Sequence, residues 1–125
     1  MDITPEQQQL LDLDKLRDLD IHKLKDLEDK LYSSDTQIWF EDPDKATPEQ
    51  KKDFTNKRIK LSNLINDLDT IRIEKIAKKF KNNESKLQEG IDELSKTLKG
   101  ISSSIETLSQ IGTLISTIAN ILTLV

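Results

Sequence analysis

The chain has 125 residues, about a third of them apolar and a third charged, with one Trp, one Tyr, three Phe, three Gly and three Pro. That length allows one modest core, and the mix suits long helices better than sheet. Cysteine is absent, which excludes disulfides and thiolate metal sites. The net charge of −4 is uneven: residues 1–44 carry −8, residues 45–81 carry +6 and residues 82–125 carry −2. An acidic segment followed by a basic one implies that the two lie against each other. No aromatics interleave with the Lys and Arg, which argues against nucleic acid as a partner.

The tetrapeptide Thr-Pro-Glu-Gln occurs at 4–7 and again at 47–50. Thr suits an N-cap, Pro the first helical position and Gln the capping-box position, so both copies mark helix starts. The first predicted helix covers 5–32, with Leu10, Leu13, Leu16, Leu24, Leu27 and Leu31 as its stripe. Asp20 falls where this stripe should be apolar. Either the helix bends there, with Asp20 capping a second half, or a bundle partner is missing at that level. His22, the only histidine, has no second imidazole or thiolate with which to share a metal.

Residues 33–47 are expected as a loop, long for a helical connection. Within it Ile38, Trp39 and Phe40 form an apolar knot in acidic surroundings, a plug over the core or a contact point. The second predicted helix covers 48–81, with Phe54, Leu61, Leu64, Ile65, Leu68, Ile71, Ile76 and Phe80 on one face. Lys75, Lys78, Lys79 and Lys81 would suit its C-terminus, where the macrodipole favours cations.

Asn82–Glu84 reads as a turn, followed by a Ser85/Gln88 capping box and a third helix over 85–125. Apolar or small residues recur with a 3-4 rhythm at 87, 91, 94, 98, 101, 105, 108, 112, 115, 119 and 122, the pattern of knobs-into-holes packing. Because the rhythm keeps phase across Gly100, a continuous helix is the preferred reading. Lys99-Gly100 followed by Ser103 and Glu106 leaves open a bend or split there, with a separate last helix. The expected fold is therefore all-α: one domain, 1–125, an antiparallel bundle of three long helices with coiled-coil-like packing. A hairpin through Asn82–Glu84 would set residue 48 opposite residue 118 and leave the C-terminal residues projecting, with Ile38, Trp39 and Phe40 at the same end to cover them.

After Glu106 no ionisable side chain remains; Ser, Thr, Asn and Gln stand where a surface helix usually carries Lys and Glu. Such a helix is built for a partner. The candidate contact residues are Ile101, Ile105, Leu108, Ile111, Gly112, Ile115, Ile118, Ala119, Leu122 and Val125, with Gly112 and Ala119 small enough to let another backbone approach. The expectation is a non-enzymatic interaction protein that self-associates or binds a helical partner. The competing reading is a membrane-active helix: Thr107–Val125 is 19 uncharged residues, ~28 Å of helix and close to a hydrocarbon thickness. Its polar face and the lack of a basic anchor after it favour lying at an interface or lining a pore over simple spanning. No nucleophile–base pair, phosphate loop or metal-ligand spacing is present, so no enzyme activity and no cofactor are expected. The acidic start is unlike a secretory signal, making the cytoplasm the default compartment, with non-classical export or membrane association as alternatives.

Overall fold

The computed structural model describes residues 2–123 and is all-helical over them. Five helices follow in order: α1 (Pro5–Leu31), α2 (Ser34–Glu41), α3 (Pro48–Thr70), α4 (Ile73–Lys99) and α5 (Ser104–Leu122). Both Thr-Pro-Glu-Gln copies are capping boxes. The hydroxyl oxygen of Thr4 accepts from the Gln7 N–H and that of Thr47 from the Gln50 N–H, each at 3.1 Å, while each Gln side chain accepts from the cap's own N–H.

Five helices replace the three that were expected, and each added break has an identifiable physical cause. Residues 33–47 are not all loop. Ser33 Oγ accepts from the Thr36 N–H at 3.4 Å, and the Thr36 hydroxyl donates to the Lys30 carbonyl at 2.9 Å, so α2 begins one short turn after α1 ends. The expected helix 48–81 is interrupted at Ile71-Arg72. There the Arg17 guanidinium, reaching across from α1, donates to the carbonyls of Leu68 and Ile71. These terminal carbonyls lack intrahelical donors, and a side chain from another helix supplies them. Hydrophobic periodicity carries no trace of such a stop.

Asn82–Glu84 is not a turn. It lies inside α4, where the Asn83 carboxamide donates to the Lys79 carbonyl at 2.7 Å, and Ser85 caps nothing. Lys75, Lys78, Lys79 and Lys81 consequently stand in the first half of α4 instead of at a C-terminus. The last predicted helix does split. The Gly100 N–H bonds back to the Thr97 carbonyl at 3.1 Å, residues 101–103 are non-helical, and Ser103 Oγ accepts from the Glu106 N–H at 3.2 Å to start α5.

Four long helices make the bundle. α1 and α5 each pack against both α3 and α4. α1 runs antiparallel to α3, since Arg17 meets Leu68 and Ile71 whereas Arg58 donates to the Leu31 carbonyl at 3.2 Å. It runs parallel to α4: Leu10 and Asp14 share a groove with Ile73 and Glu74, and Asp20 faces Glu84 further up. α5 is antiparallel to α4, with Asn120 donating to Asn83 at 3.0 Å while Gly90 lies against Leu114. It is parallel to α3, because the Ser104 hydroxyl donates to Gln50 at 2.9 Å and Leu122 shares a groove with Asp67 and Thr70. The two-residue link Ile71-Arg72 therefore joins helices at opposite corners. The start of α3 lies beside residue 104, not residue 118 as a hairpin would have it.

The interior is one continuous cluster, with Leu24, Leu27 and Leu31 from α1, Leu61, Ile65 and Leu68 from α3, Ile76, Phe80, Leu87 and Leu94 from α4, and Ile111, Leu114, Ile118 and Ile121 from α5. α2 closes the end where α1 finishes and α3 begins. Phe40 stacks on Phe54 with centroids 4.1 Å apart and planes within 5°, and Trp39 meets Phe40 edge-on at 5.0 Å. The Arg58 guanidinium lies 4.2 Å above the Tyr32 ring and 5.1 Å above that of Phe54. Phe40 thus covers the core at this end, the opposite end of the bundle from Ile121 and Leu122, while Ile38 is exposed.

α1 does pack against α3, as the charge blocks implied, although ion pairs contribute little. Among the described residues only Lys25–Asp69, at 3.0 Å, joins two of the long helices.

Candidate interaction surface

The residues singled out on the last helix divide into two sets. Leu108, Ile111, Ile115 and Ile118 are buried in the chain's own core, against α3 and α4. Ile101, Gly112, Ala119 and Leu122 are half-buried, and Ile105 is 71% exposed. Val125 lies outside the described residues. Of the α2 candidates, Phe40 is buried, Trp39 half-buried and Ile38 exposed.

The core face of α5 is centred on 104, 107, 111, 114, 118 and 121, one position earlier than the expected 105, 108, 112, 115, 119 and 122, of which only Leu108 and Ile115 are also buried. Both sets follow the 3-4 rhythm. The non-helical residues 101–103 uncouple α5 from the phase of α4, so the helix is free to rotate until its bulkiest row points inward. Ile111, Leu114, Ile118 and Ile121 bury more apolar surface than Gly112, Ile115, Ala119 and Leu122 would, and area decides. The signal lay in the second half of the helix: from 111 to 121 the inward row carries four bulky aliphatics, whereas from 112 to 122 the expected row holds Gly112 and Ala119 beside Ile115 and Leu122.

The outward side of α5 is then Ser109, Thr113, Ser116, Asn120 and Thr123, all exposed. Its threonine hydroxyls turn back into the helix. Thr113 donates to the Ser109 carbonyl at 3.1 Å, Thr117 to Thr113 at 2.9 Å and Thr123 to Ala119 at 2.9 Å. With the threonine donors occupied within the helix and the Asn120 carboxamide donating to Asn83, these positions show methyl groups and spare acceptors, and covering them leaves no threonine donor unpaired.

Beside it, α4 and α5 enclose an open groove of about 630 Å³. Its floor is Gly90, Ser109, Gly112, Thr113, Ser116 and Thr117, and its α4 rim carries Lys86, Glu89 and Glu93. The helices approach closely here because Gly90 has no side chain: a Cβ on it would stand 2.9 Å from Leu114 Cδ2, whereas a Cβ on Gly112 would meet only Lys57 Cε at 3.5 Å. The two glycines should therefore respond oppositely to alanine. Gly112→Ala is expected to raise stability by about 0.5–1 kcal/mol through helix propensity. In Gly90→Ala the same gain is outweighed by overpacking of about 1–3 kcal/mol against the fully buried Leu114. Urea unfolding midpoints of the two variants, moving in opposite directions, check the prediction.

A second polar feature lies inside the bundle. α1 passes unbroken through Asp20, so neither a bend nor a missing partner accounts for it. Its side chain is 0% exposed, faces Glu84 of α4, and both carboxylate oxygens lack a hydrogen-bond donor. Burial first, and Glu84 second, push its pKa up to about 7 from the ordinary 3.8. The out-of-place acid in the leucine stripe was the sequence signal; its neighbour, on a helix expected to turn at that point, was not legible.

Among the described residues no three His, Cys, Asp or Glu side chains assemble into a metal-binding group. No helix among them is long and apolar enough to cross a membrane. Fold and surface together define an all-α helical bundle. Compared with protein-family models, curated proteins and solved structures, the chain matches none.

Proposed function

We propose that the chain is a non-enzymatic assembly protein that associates with a second copy of itself through the uncharged outer face of α5 and the adjoining α4/α5 groove. The observation that carries this reading is the groove's small-residue floor beside a row of internally bonded threonines. Such a floor lets another helix approach closely at little desolvation cost. The rim favours a like copy. Lys86, Glu89 and Glu93 present both signs along α4, so a two-fold, antiparallel arrangement sets Lys86 beside Glu89 or Glu93 of the partner subunit. Ile105, exposed at the start of α5, adds apolar area at the edge of the same helix.

Sedimentation velocity over a concentration series tests the reading. The wild type should shift from monomer to dimer. Ser116→Lys, which places a charge on the groove floor, should weaken the dimer at least about tenfold, or ~1.4 kcal/mol, without altering the helical circular dichroism. A chain that stays monomeric throughout overturns self-association. If that monomer sediments with lipid vesicles, the membrane-active reading takes its place.

A further inference from the structure

Independently of how the outer face is used, we infer that Asp20 and Glu84 form a proton-dependent clasp between α1 and α4, holding the helices together while the pair retains one proton and loosening α1 when that proton is lost. The geometry is that of two carboxyl groups across a helix interface with no cation to separate them. Asp20 is fully buried with both oxygens lacking a donor, and Glu84 is half-buried, accepting from the Gln88 carboxamide on its own helix. A protonated Asp20 can donate to Glu84 and satisfy both groups. Two carboxylates in the same place repel, and one of them is out of water.

The surrounding charges do not relieve this. Lys23, on the same helix, is the one nearby cation that favours ionisation, and its effect ranks below burial and Glu84. Arg17, one turn away, is committed to Asp14 and to the carbonyls at the end of α3. From α3, Asp69 is held by Lys25. α5, which packs on α3 and α4 and not chiefly on α1, carries only Glu106, at the far end of the bundle.

α1 is the helix such a clasp would release. Its first ten residues have little cover, and Leu11 and Leu19 are exposed, so much of its grip comes from Ile21 onward, next to Asp20. Between 3.8 and about 7 the closed bundle holds a proton that an opened chain has given up. Closure therefore weakens as pH rises through that window and is strongest at its acid end.

Amide hydrogen exchange of the full chain at pH 5.5 and pH 8, corrected for intrinsic exchange rates, tests the clasp. With the two pKa values above, protection of α1 from Asp20 to Leu31 should fall on the order of thirtyfold in the wild type, with a smaller change in α5. Asp20→Asn, neutral at both pH values, should flatten the response. Glu84→Gln should reduce it, because a carboxamide can donate to the Asp20 carboxylate. A wild-type profile independent of pH, an Asp20→Asn profile that falls like the wild type, or a Glu84→Gln response equal to the wild type overturns the proposal. Equal loss of protection across α1 and α5 overturns the local release of α1.

Discussion

Ile118→Asp is expected to abolish the folded bundle, whereas Ile105→Asp leaves it intact. Both isoleucines belong to α5 and both are candidates for contact with a partner. Ile118 is fully buried and Ile105 is 71% exposed. At position 118 the substitution removes the burial of an isoleucine and places a carboxylate in the core, with other aliphatic side chains around it. The lost transfer energy and the cost of an unpaired buried charge add to roughly 5 kcal/mol or more, comparable with the entire stability of a small domain. Helical circular dichroism at 25 °C should collapse. At position 105 the side chain already faces water, and the new carboxylate sits in the first turn of α5, where the macrodipole favours an anion by about 0.3–1 kcal/mol. Its thermal midpoint should hold or rise slightly. A folded Ile118→Asp chain would mean that α5 is not held as described.

The second large effect concerns the closed end. Phe54 is 2% exposed, stacks on Phe40 and lies beneath the Arg58 guanidinium. Phe54→Ala is expected to cost about 3–5 kcal/mol in urea unfolding, the range for deleting a buried aromatic ring. The stack joins α2 to the bundle, so the loss should be visible locally as well. With Phe40 left against a cavity, the half-buried Trp39 should become more exposed and its emission should shift to the red. Phe54→Leu keeps most of the volume and should recover more than half of the loss. An unchanged Trp39 spectrum in Phe54→Ala would separate α2 from this ring.

Where helix starts depend on residues next to each other, they were legible before any tertiary contact was considered. Thr4 and Thr47, each with Pro and Gln following, begin α1 and α3 as expected. Ser103 with Glu106 begins α5, the split that had been the open alternative at Gly100. The stripe of α1 was right from Leu24 to Leu31, and Phe40 is the buried part of the knot in 38–40. Ser33 with Thr36 carries no such signal, because the helix it starts has only 8 residues, too few to show a periodicity.

Sequence and structure part where a distant residue decides. The end of α3 depends on Arg17, 51 positions from Leu68, and nothing in the stripe from Leu61 to Phe80 announces an interruption. Without that stop the reversal falls at Asn82–Glu84, and the last helix runs antiparallel to the one starting at residue 48, whereas α5 runs parallel to α3. The rotation of α5 differs by one residue from the expected one for a related reason. Two overlapping 3-4 rows satisfied the same rhythm, and only the surface offered by α3 and α4 selects the bulkier one. Asp20 looked like a fault in a leucine stripe until α4 was seen to bring Glu84 to it.

Local chemistry therefore specified the all-α class, the capped starts of α1, α3 and α5 and the lack of charge after Glu106, since capping and patterning act within a few residues. The tertiary structure decided that the helix expected over 48–81 stops at Ile71-Arg72, that α3 and α4 stand at opposite corners, and which face of α5 remains outside. Those outcomes depend on a guanidinium reaching another helix's last carbonyls, on the apolar area each face can bury, and on a missing Cβ at Gly90. None of these is a property of neighbours in the chain.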